Sequence, residues 1–458
     1  MAIATINPTT GETEKSFEPH TAEEVERRIA LADDATRVMR GTTFAQRSEW
    51  MQSAADLLEA EADDIAAIMT TEMGKPLAQA RAEALKCVKG MRFYAEHAEG
   101  FLADEMLADA SRVNASSALA RYQPLGAVLA VMPWNYPLWQ VVRFAAPALM
   151  AGNSGLLKHA SNVPQSALYL DTLFSRGGFP EGAFSTLLIG SRDVAAIIQD
   201  RRVKAVTLTG SEPAGREVAA NAGGQIKKSV LELGGSDPFI VMPSADLDKA
   251  VEVAVTTRTQ NNGQSCIAGK RFIVHSDVYD AFSAALADRF RALVVGDPME
   301  PTTDVGPLAT ESGRDELAEL VDDAVAQGAT VLAGGSAPER AGWFYPPTIV
   351  TDLQDGMRLV LEEAFGPVAS LYRADSRDDA LRIANQTTFG LSSAVWTTDA
   401  ADEEYFIAGL DAGAVFINGM TVSYPELPFG GIKDSGIGRE LGAPGIREFC
   451  NLKTVWKA

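Results

Sequence analysis

The residue with the clearest chemical potential is Cys266, which directly follows a polar segment, residues 260–265. A polar turn leaves a thiol accessible to small molecules, and its thiolate is a strong nucleophile. Cys87 lies in an amphipathic helical pattern, and Cys450 has no chemically useful neighbours in the sequence. Because most isolated cysteines are structural, Cys266 needs a base and an oxyanion donor before a catalytic role follows.

Glu232 and Asn135 are the candidates for those two roles. Glu232 interrupts an apolar segment just before two glycines. Burial there would raise its pKa as a general base requires, and pairing with Lys227 is the open alternative. Asn135 lies between two prolines at a predicted strand end, where its amide could donate to an oxyanion or simply stabilise the turn.

A papain-type mechanism would instead pair Cys266 with a histidine. The chain has four histidines, at positions 20, 97, 159 and 275, and none has an evident catalytic setting in the sequence. A cofactor-independent thiol hydrolase is the alternative from a different class of enzyme.

Two further segments have features of a nucleotide site. A strand-like run ending at Thr209 leads through Gly210 and Ser211 into a helical pattern, and free N–H groups at a helix N-terminus bind phosphate. Arg216 stands where a P-loop needs lysine, which argues against an NTPase. Lys158 ends another apolar run, at the sheet edge where α/β proteins bind ligands. Each feature alone also fits a segment that binds nothing.

These residues are positioned by alternating strands and helices. The first hundred residues predict helices, with a capping box at Thr21 and Glu24, and residues 104–122 predict a projecting strand pair. From residue 126 short apolar runs alternate with helical patterns, which is typical of an α/β fold with mostly parallel sheets. Predicted strands lie at residues 128–132, 155–158, 185–189, 203–209 and 229–233, then at 238–242, 271–275, 330–332, 368–372, 392–397 and 414–418. A division near residues 234–237 gives two doubly wound α/β domains.

Composition restricts the possible partners. A net charge of −21 over 458 residues argues against nucleic acid and anionic membranes. The sequence contains no signal-peptide pattern and no apolar run long enough to span a membrane. Three unpatterned cysteines and no zinc-type spacing predict a cytoplasmic protein without a disulfide framework or a metal site.

Taken together, the motifs resemble the aldehyde dehydrogenase superfamily over almost the whole chain. The matching segments are residues 133–137, 209–211, 231–235, 263–266, 363–367 and 428–433. Residues 157–164 and 418–423 resemble most closely the bacterial members that oxidise succinate semialdehyde. The resemblance implies that Cys266 forms a thiohemiacetal and then a thioester. It also implies that Asn135 stabilises the oxyanion, and that Glu232 activates the hydrolytic water.

The resemblance also implies a Rossmann-like nicotinamide site without the usual glycine fingerprint. The residues implied in that site are Trp134, Asn135, Lys158, Ser161, Gly210, Ser211, Leu233, Glu363 and Phe365. Family members that prefer NAD often carry a glutamate where this chain has Ser161. Without that carboxylate, and with Lys158 able to pair with a 2′-phosphate, we expect NADP to be preferred over NAD.

For the substrate, the resemblance favours succinate semialdehyde, whose far end carries a carboxylate. Arg143 lies two helical turns after Asn135, and Ser423 lies on the loop that resembles the family's substrate-anchoring loop. An arginine and a hydroxyl make a reasonable carboxylate site, although Arg143 could simply pair with an acid. Glutarate semialdehyde, aminoaldehydes and aliphatic aldehydes are the competing substrates.

The resemblance finally implies three structural parts. Residues 1–103 and 126–234 form the cofactor-binding domain, and residues 235–425 form the catalytic domain. Residues 104–125 and 426–458 form a small β oligomerisation element. This element implies a homodimer or homotetramer assembled by strand pairing between subunits.

Overall fold

The computed structural model describes residues 2–458 and contains helices and strands along its whole length. The strands are β1 Ile3–Ile6, β2 Thr13–Phe17, β3 Glu105–Met106, β4 Ser117–Pro124, β5 Ala127–Met132, β6 Ser154–His159, β7 Phe184–Thr186, β8 Val203–Thr209, β9 Lys228–Glu232, β10 Asp237–Val241, β11 Gly269–His275, β12 Thr330–Ala333, β13 Thr348–Thr351, β14 Val368–Ala374, β15 Ser393–Trp396, β16 Val415–Ile417, β17 Gly436–Ile437 and β18 Cys450–Lys457.

The helices lie between and after these strands. They are α1 Ala22–Met39, α2 Phe44–Ala60, α3 Ala62–Met73, α4 Leu77–Phe101, α5 Trp139–Ala151, α6 Pro164–Arg176, α7 Val194–Gln199, α8 Glu212–Gly224, α9 Leu247–Thr259, α10 Ser276–Ala292, α11 Glu311–Ala326, α12 Arg358–Leu361, α13 Arg377–Asn385, α14 Ala400–Gly409 and α15 Gly442–Arg447. None of the helices in residues 2–458 has both the length and the apolar character needed to cross a bilayer.

The first large sheet carries the predicted nucleotide-site segments. Its order is β17-β9-β8-β5-β6-β7, with all neighbours parallel except the antiparallel pair of β17 and β9. Helices pack on both faces, so its central strands are almost completely buried. The carboxyl ends of β5, β6, β8 and β9 meet at one edge, where α/β sheets bind ligands.

The second large sheet has seven strands in the order β12-β13-β14-β11-β10-β15-β16. All neighbours are parallel except β12, which runs antiparallel to β13. Two parallel-rich sheets confirm the predicted α/β fold class, while the proposed domain boundaries remain a prediction.

A small antiparallel sheet with the order β18-β4-β3 is separate from these two sheets. Pairing of β3 with β4 confirms the strand pair predicted for residues 104–122. The helical prediction for the first hundred residues is wrong at the start, where β1 and β2 form a hairpin. The residues of β2 are mostly exposed, so they lack the apolar alternation by which a strand is recognised in a sequence.

Only half of the predicted capping box forms at the start of α1. The Thr21 hydroxyl accepts a hydrogen bond from the Glu24 backbone N–H (3.2 Å). The Glu24 carboxylate binds Arg27 and Arg28 instead of returning to the Thr21 backbone. Two guanidinium groups offer a carboxylate stronger, charge-assisted hydrogen bonds than one N–H does.

Candidate active site

Cys266 lies between α9 and β11, just after the 3-10 turn Gln260–Gly263. Asn261 and Asn262 have φ of 58° and 56° in that turn, a left-handed conformation that is costly for residues other than glycine. Buried hydrogen bonds hold the turn in place, including one from the Asn262 amide to the Gly74 carbonyl oxygen (2.8 Å). The loop that presents Cys266 is therefore rigid before any substrate binds.

The Cys266 thiol is half-buried where two cavities meet. One cavity has a volume of about 200 Å³ and the other about 760 Å³, and Cys266 lines both. Burial raises the pKa of the Cys266 thiol to about 12, while the positive charges of Arg143 and Lys270 lower it. Because the thiol is protonated at neutral pH in this state, catalysis requires a base to remove its proton.

Asn135 is held firmly on the loop between β5 and α5. Its side-chain amide donates to the Gln264 carbonyl oxygen (3.1 Å). Its own carbonyl oxygen accepts from Lys75 Nζ (3.0 Å) and from the Asn261 amide (2.9 Å). A side-chain amide has two N–H groups, so one is left for an oxyanion. Asn135 and Cys266 line the same 760 Å³ cavity.

A buried ion pair between Lys75 and Glu83 supports the Asn135 loop. Glu83 also accepts hydrogen bonds from the backbone N–H groups of Leu138 and Trp139 (2.9 Å each) at the start of α5. Removing one partner of a buried pair leaves an uncompensated charge, so each residue fixes the other. Sequence reasoning missed the support that this pair gives to Asn135, because Lys75 and Asn135 are 60 residues apart in the chain.

Glu232 ends β9 and is buried beneath Gly430. Both of its carboxylate oxygens lack a hydrogen-bond partner among residues 2–458, and a Cβ atom at Gly430 would lie 2.6 Å from Oε1. Burial raises the pKa of Glu232 well above its ordinary value, and the negative charge of Glu440 raises it further. Glu232 is not among the residues lining either cavity, so a role as a base at Cys266 would require its carboxyl group to rotate towards that residue.

The residues implied in cofactor binding lie along one cleft formed by two neighbouring cavities. Those on the wall of the 760 Å³ cavity are Trp134, Asn135, Gly210, Ser211, Leu233, Glu363 and Phe365. Those on the wall of a second cavity, of about 560 Å³, are Trp134, Lys158, Ser161, Glu363 and Phe365. Trp134 and Phe365 pack edge to face at 5.6 Å between ring centroids. A long polar ligand can therefore extend from Cys266 to Lys158.

Unpaired polar groups show that this cleft suits such a ligand. The side-chain nitrogens of Asn162 and Gln264, two residues on the wall of the 560 Å³ cavity, have no hydrogen-bond partner among residues 2–458. Ser211 precedes α8 without capping it through its side chain, so the first N–H groups of that helix are available to a phosphate.

Lys158 and Ser161 lie at the far end of the cleft from Cys266. Burial lowers the pKa of the Lys158 ammonium, and no carboxylate in the described chain lies within ion-pair distance of it. A phosphate dianion there would compensate its charge. A carboxylate at position 161 would compete for the same cation.

Lys270 connects the loop that carries Cys266 to the neighbouring cleft. Its buried ammonium donates to the carbonyl oxygens of Ser265 and Cys266 (2.8 Å each) and pairs with Glu363 (2.9 Å). Glu363 also accepts from the Gly235 N–H (3.2 Å). Sequence reasoning missed Lys270, although its position four residues after Cys266 was a usable signal.

The 200 Å³ cavity contains both residues expected to bind a substrate carboxylate. Arg143 is buried, forms an ion pair with Glu440 and lies 4.5 Å from the ring centroid of Phe429. The Ser423 hydroxyl, also on this wall, accepts a hydrogen bond from Trp139 Nε1 (2.8 Å). The structure thus places Arg143 and Ser423 beside Cys266, with the Arg143 charge partly compensated by its acid partner.

Lys86 is a second charged residue of this cavity, after Glu83, that sequence reasoning missed. Gln79, Glu83, Lys86 and Gly90 follow one another at helical spacing along α4, and the first three line the 200 Å³ cavity. A Cβ atom at Gly90 would lie 2.9 Å from Trp139, so that glycine lets the indole approach the helix. The polar spacing on an otherwise apolar helix face was the signal that could have found Lys86.

Comparison with known proteins agrees with this geometry. The model of the "Aldehyde dehydrogenase family" matches residues 1–455. A protein of Mycolicibacterium paratuberculosis named succinate-semialdehyde dehydrogenase [NADP(+)] is 66% identical over 457 residues, which cover 100% of this chain and 97% of that protein. One of Mycobacterium tuberculosis, named succinate-semialdehyde dehydrogenase [NADP(+)] 1, is 65% identical over 458 residues, with both chains fully covered.

A solved structure is similar over the same span. The crystal structure of succinic semialdehyde dehydrogenase from Streptococcus pyogenes, in complex with NADP+ as the cofactor, matches with a TM-score of 0.96. It is 35% identical to this chain, and the match covers 99% of each chain.

Proposed function

This chain belongs to the aldehyde dehydrogenase family, and from that premise we propose that it oxidises succinate semialdehyde to succinate with NADP+ as preferred acceptor and NAD+ as the weaker one. The observation that supports this proposal most strongly is the position of Cys266 between a small cavity with cationic walls and a long polar cleft. The names of the relatives support the same substrate and cofactor. Family membership favours a dehydrogenase over the thiol hydrolase.

The side chains of the site supply the protein's part of this reaction. Cys266 Sγ releases its proton to solvent and attacks the aldehyde carbon as the thiolate. The oxyanion of the thiohemiacetal then accepts hydrogen bonds from the Asn135 amide and the Cys266 backbone N–H. NADP+, when bound, supplies the acceptor for the hydride that leaves this adduct. Glu232 then takes a proton from the water that attacks the thioester on Cys266. The carbon–sulfur bond breaks, succinate forms, and the Cys266 thiolate leaves and regains a proton from Glu232.

Steady-state assays that follow NADPH and NADH absorbance test the proposed function. We expect kcat/KM for succinate semialdehyde to exceed that for butanal by at least about tenfold, because the cavity offers cationic donors to a carboxylate. Glutarate semialdehyde and 4-aminobutanal complete the panel, with Cys266→Ala as the blank. Equal or faster oxidation of butanal would assign the enzyme to aliphatic aldehydes instead.

The cofactor preference is tested by Ser161→Glu. The new carboxylate would repel a 2′-phosphate and pair with Lys158, which lies on the same wall without an acid partner. We expect the ratio of kcat/KM for NADP+ to that for NAD+ to fall by about 10- to 100-fold. Ser175→Glu, the same change at an exposed position on α6, is the matched control. An unchanged ratio would show that position 161 does not select the cofactor.

For assembly, we propose a homodimer or homotetramer formed by strand pairing. β18 is an outer strand of the small sheet, and its Leu452 and Trp456 are about half exposed. β16 is an outer strand of the seven-stranded sheet. Unpaired strand edges bind other strands readily, so we expect β18 of one subunit to pair with β16 of another. Sedimentation velocity should give at least twice the mass of one chain.

The cytoplasm is the proposed location. Cys87, Cys266 and Cys450 are all free thiols, and the proposed reaction needs Cys266 reduced. A reducing compartment preserves that thiol.

A further inference from the structure

The 200 Å³ cavity beside Cys266 has an uncompensated positive charge. Three charged side chains line it: Glu83, Lys86 and Arg143. Glu83 pairs with Lys75, and Arg143 pairs with Glu440. Within residues 2–458 no carboxylate lies within ion-pair distance of Lys86, so the cavity has the charge of one unpaired ammonium group.

The hydrogen bonds of Lys86 leave donors free for a ligand. Lys86 Nζ donates one hydrogen to the Ser423 hydroxyl oxygen (2.8 Å), and Trp139 Nε1 donates to the same oxygen (2.8 Å). A hydroxyl accepts two hydrogen bonds and donates one, so the Ser423 O–H is still free. The ammonium group keeps two further N–H groups. Together they offer three adjacent donors and no acceptor, which matches a carboxylate.

We infer that Lys86 determines the specificity for an aldehyde with a carboxylate at its far end, by binding that carboxylate together with the Ser423 hydroxyl. This inference rests on the proposed function and names the cation that neutralises the substrate. Arg143 has a secondary role, because its guanidinium is already engaged by Glu440, by the Thr209 hydroxyl (3.3 Å) and by the ring of Phe429.

The indole of Trp139 fixes the position of the ammonium group. Lys86 Nζ lies 4.4 Å from the Trp139 ring centroid, within the range of a cation–π contact. Trp139 thus contacts Lys86 through its ring and Ser423 through its N–H. A ligand carboxylate meets a pair of donors that the indole has already placed, which lowers the entropy cost of binding.

The ionisation of Lys86 supports this assignment. Burial lowers its pKa to about 8, and the nearby charge of Arg143 on α5 lowers it further. Glu83 and Cys87 on the same helix, and Cys266 on the loop before β11, oppose this shift. The Lys86 ammonium loses its charge as pH rises through about 8. We therefore expect KM for a carboxylated aldehyde to increase above that pH, while KM for butanal should show no such increase.

The decisive variant is Lys86→Met, which keeps most of the length of the side chain and removes its charge. We expect the ratio of kcat/KM for succinate semialdehyde to that for butanal to fall by about 10- to 100-fold, mainly through KM. Lys86→Arg should restore part of the ratio, since it restores the charge. Lys89→Met makes the same change at an exposed position one turn further along α4 and should leave the ratio unchanged.

Each result decides between distinct explanations. If Lys86→Met slows both aldehydes equally, or leaves their ratio intact, Lys86 does not bind the carboxylate and the inference is overturned. If the unaltered enzyme itself shows no preference for succinate semialdehyde over butanal, the proposed function fails first. Should Lys86→Met not fold, as judged by its thermal unfolding, the pH dependence of KM in the unaltered enzyme decides the matter: KM for succinate semialdehyde that stays flat across pH 8 overturns the inference.

Discussion

Replacing Cys266 with alanine is expected to abolish aldehyde oxidation, with kcat/KM reduced by at least about 10⁴-fold. Alanine cannot form the thiohemiacetal, and no other thiol lines either cavity of the described structure. The loss should be one of chemistry and not of folding, because the side chain of Cys266 is half-buried beside open space. Initial rates of NADPH formation over a range of succinate semialdehyde concentrations measure it.

Cys450→Ala is the matched control for this result. Cys450 is also half-buried, and burial raises the pKa of its thiol to about 12 as it does for Cys266. It begins β18 and lies outside both cavities, so the variant should retain activity. Binding of NADP+ to Cys266→Ala, followed by calorimetry, should also persist. Oxidation that survives the Cys266 change would require a mechanism without a covalent intermediate.

Glu232→Gln is expected to lower steady-state kcat by about 10²- to 10⁴-fold, because the amide cannot take a proton from the hydrolytic water. A first turnover of NADPH should still appear as a burst, since thioester formation precedes hydrolysis. Stopped-flow absorbance separates the two phases. Glu217→Gln, at an exposed position on α8, should behave like the unaltered protein.

The pH dependence of kcat provides a second test of the role of Glu232. Burial and Glu440 raise the pKa of Glu232 well above that of an ordinary carboxyl group, so its basic form appears only as pH rises through that raised value. The kcat of the unaltered enzyme should therefore decrease towards acid pH, starting well above pH 4.5. The Gln variant should lose this limb. If the burst is lost in the same proportion as kcat, Glu232 acts earlier, on the Cys266 thiol.

Part of the fold follows directly from the sequence. Strand Val203–Thr209 has the predicted bounds, because all of its residues except Lys204 are buried and form an almost unbroken apolar run. Strand β13 was missed because its pairing defines it and its four-residue sequence does not. It runs antiparallel to β12 and parallel to β14. The β1–β2 hairpin was missed for a similar reason, because the pairing of the two segments with each other, and not their sequence pattern, makes them strands.

The residues of the candidate site also differ in how far the sequence alone reveals them. Cys266, Glu232 and Asn135 stand out in the sequence because each interrupts its surroundings with a reactive or polar group. Lys86 does not, because its meaning depends on Ser423, which lies 337 residues further along the chain. The sequence also does not show that Glu440 compensates the positive charge of Arg143. Side-chain types suggest the chemistry, whereas the balance of charge around them arises only from tertiary contacts.

Gly430 above Glu232 also limits how the protein can be engineered. A side chain there would occupy the space of the Glu232 carboxylate, and its φ of 147° is unfavourable for any other residue. Directed-evolution libraries that vary residues 428–433 should thus contain mostly inactive members. Ala82, Ile267 and Met420 line the 200 Å³ cavity without contributing a charge to it. Varying these three positions is the productive route to enzymes for bulkier aldehydes.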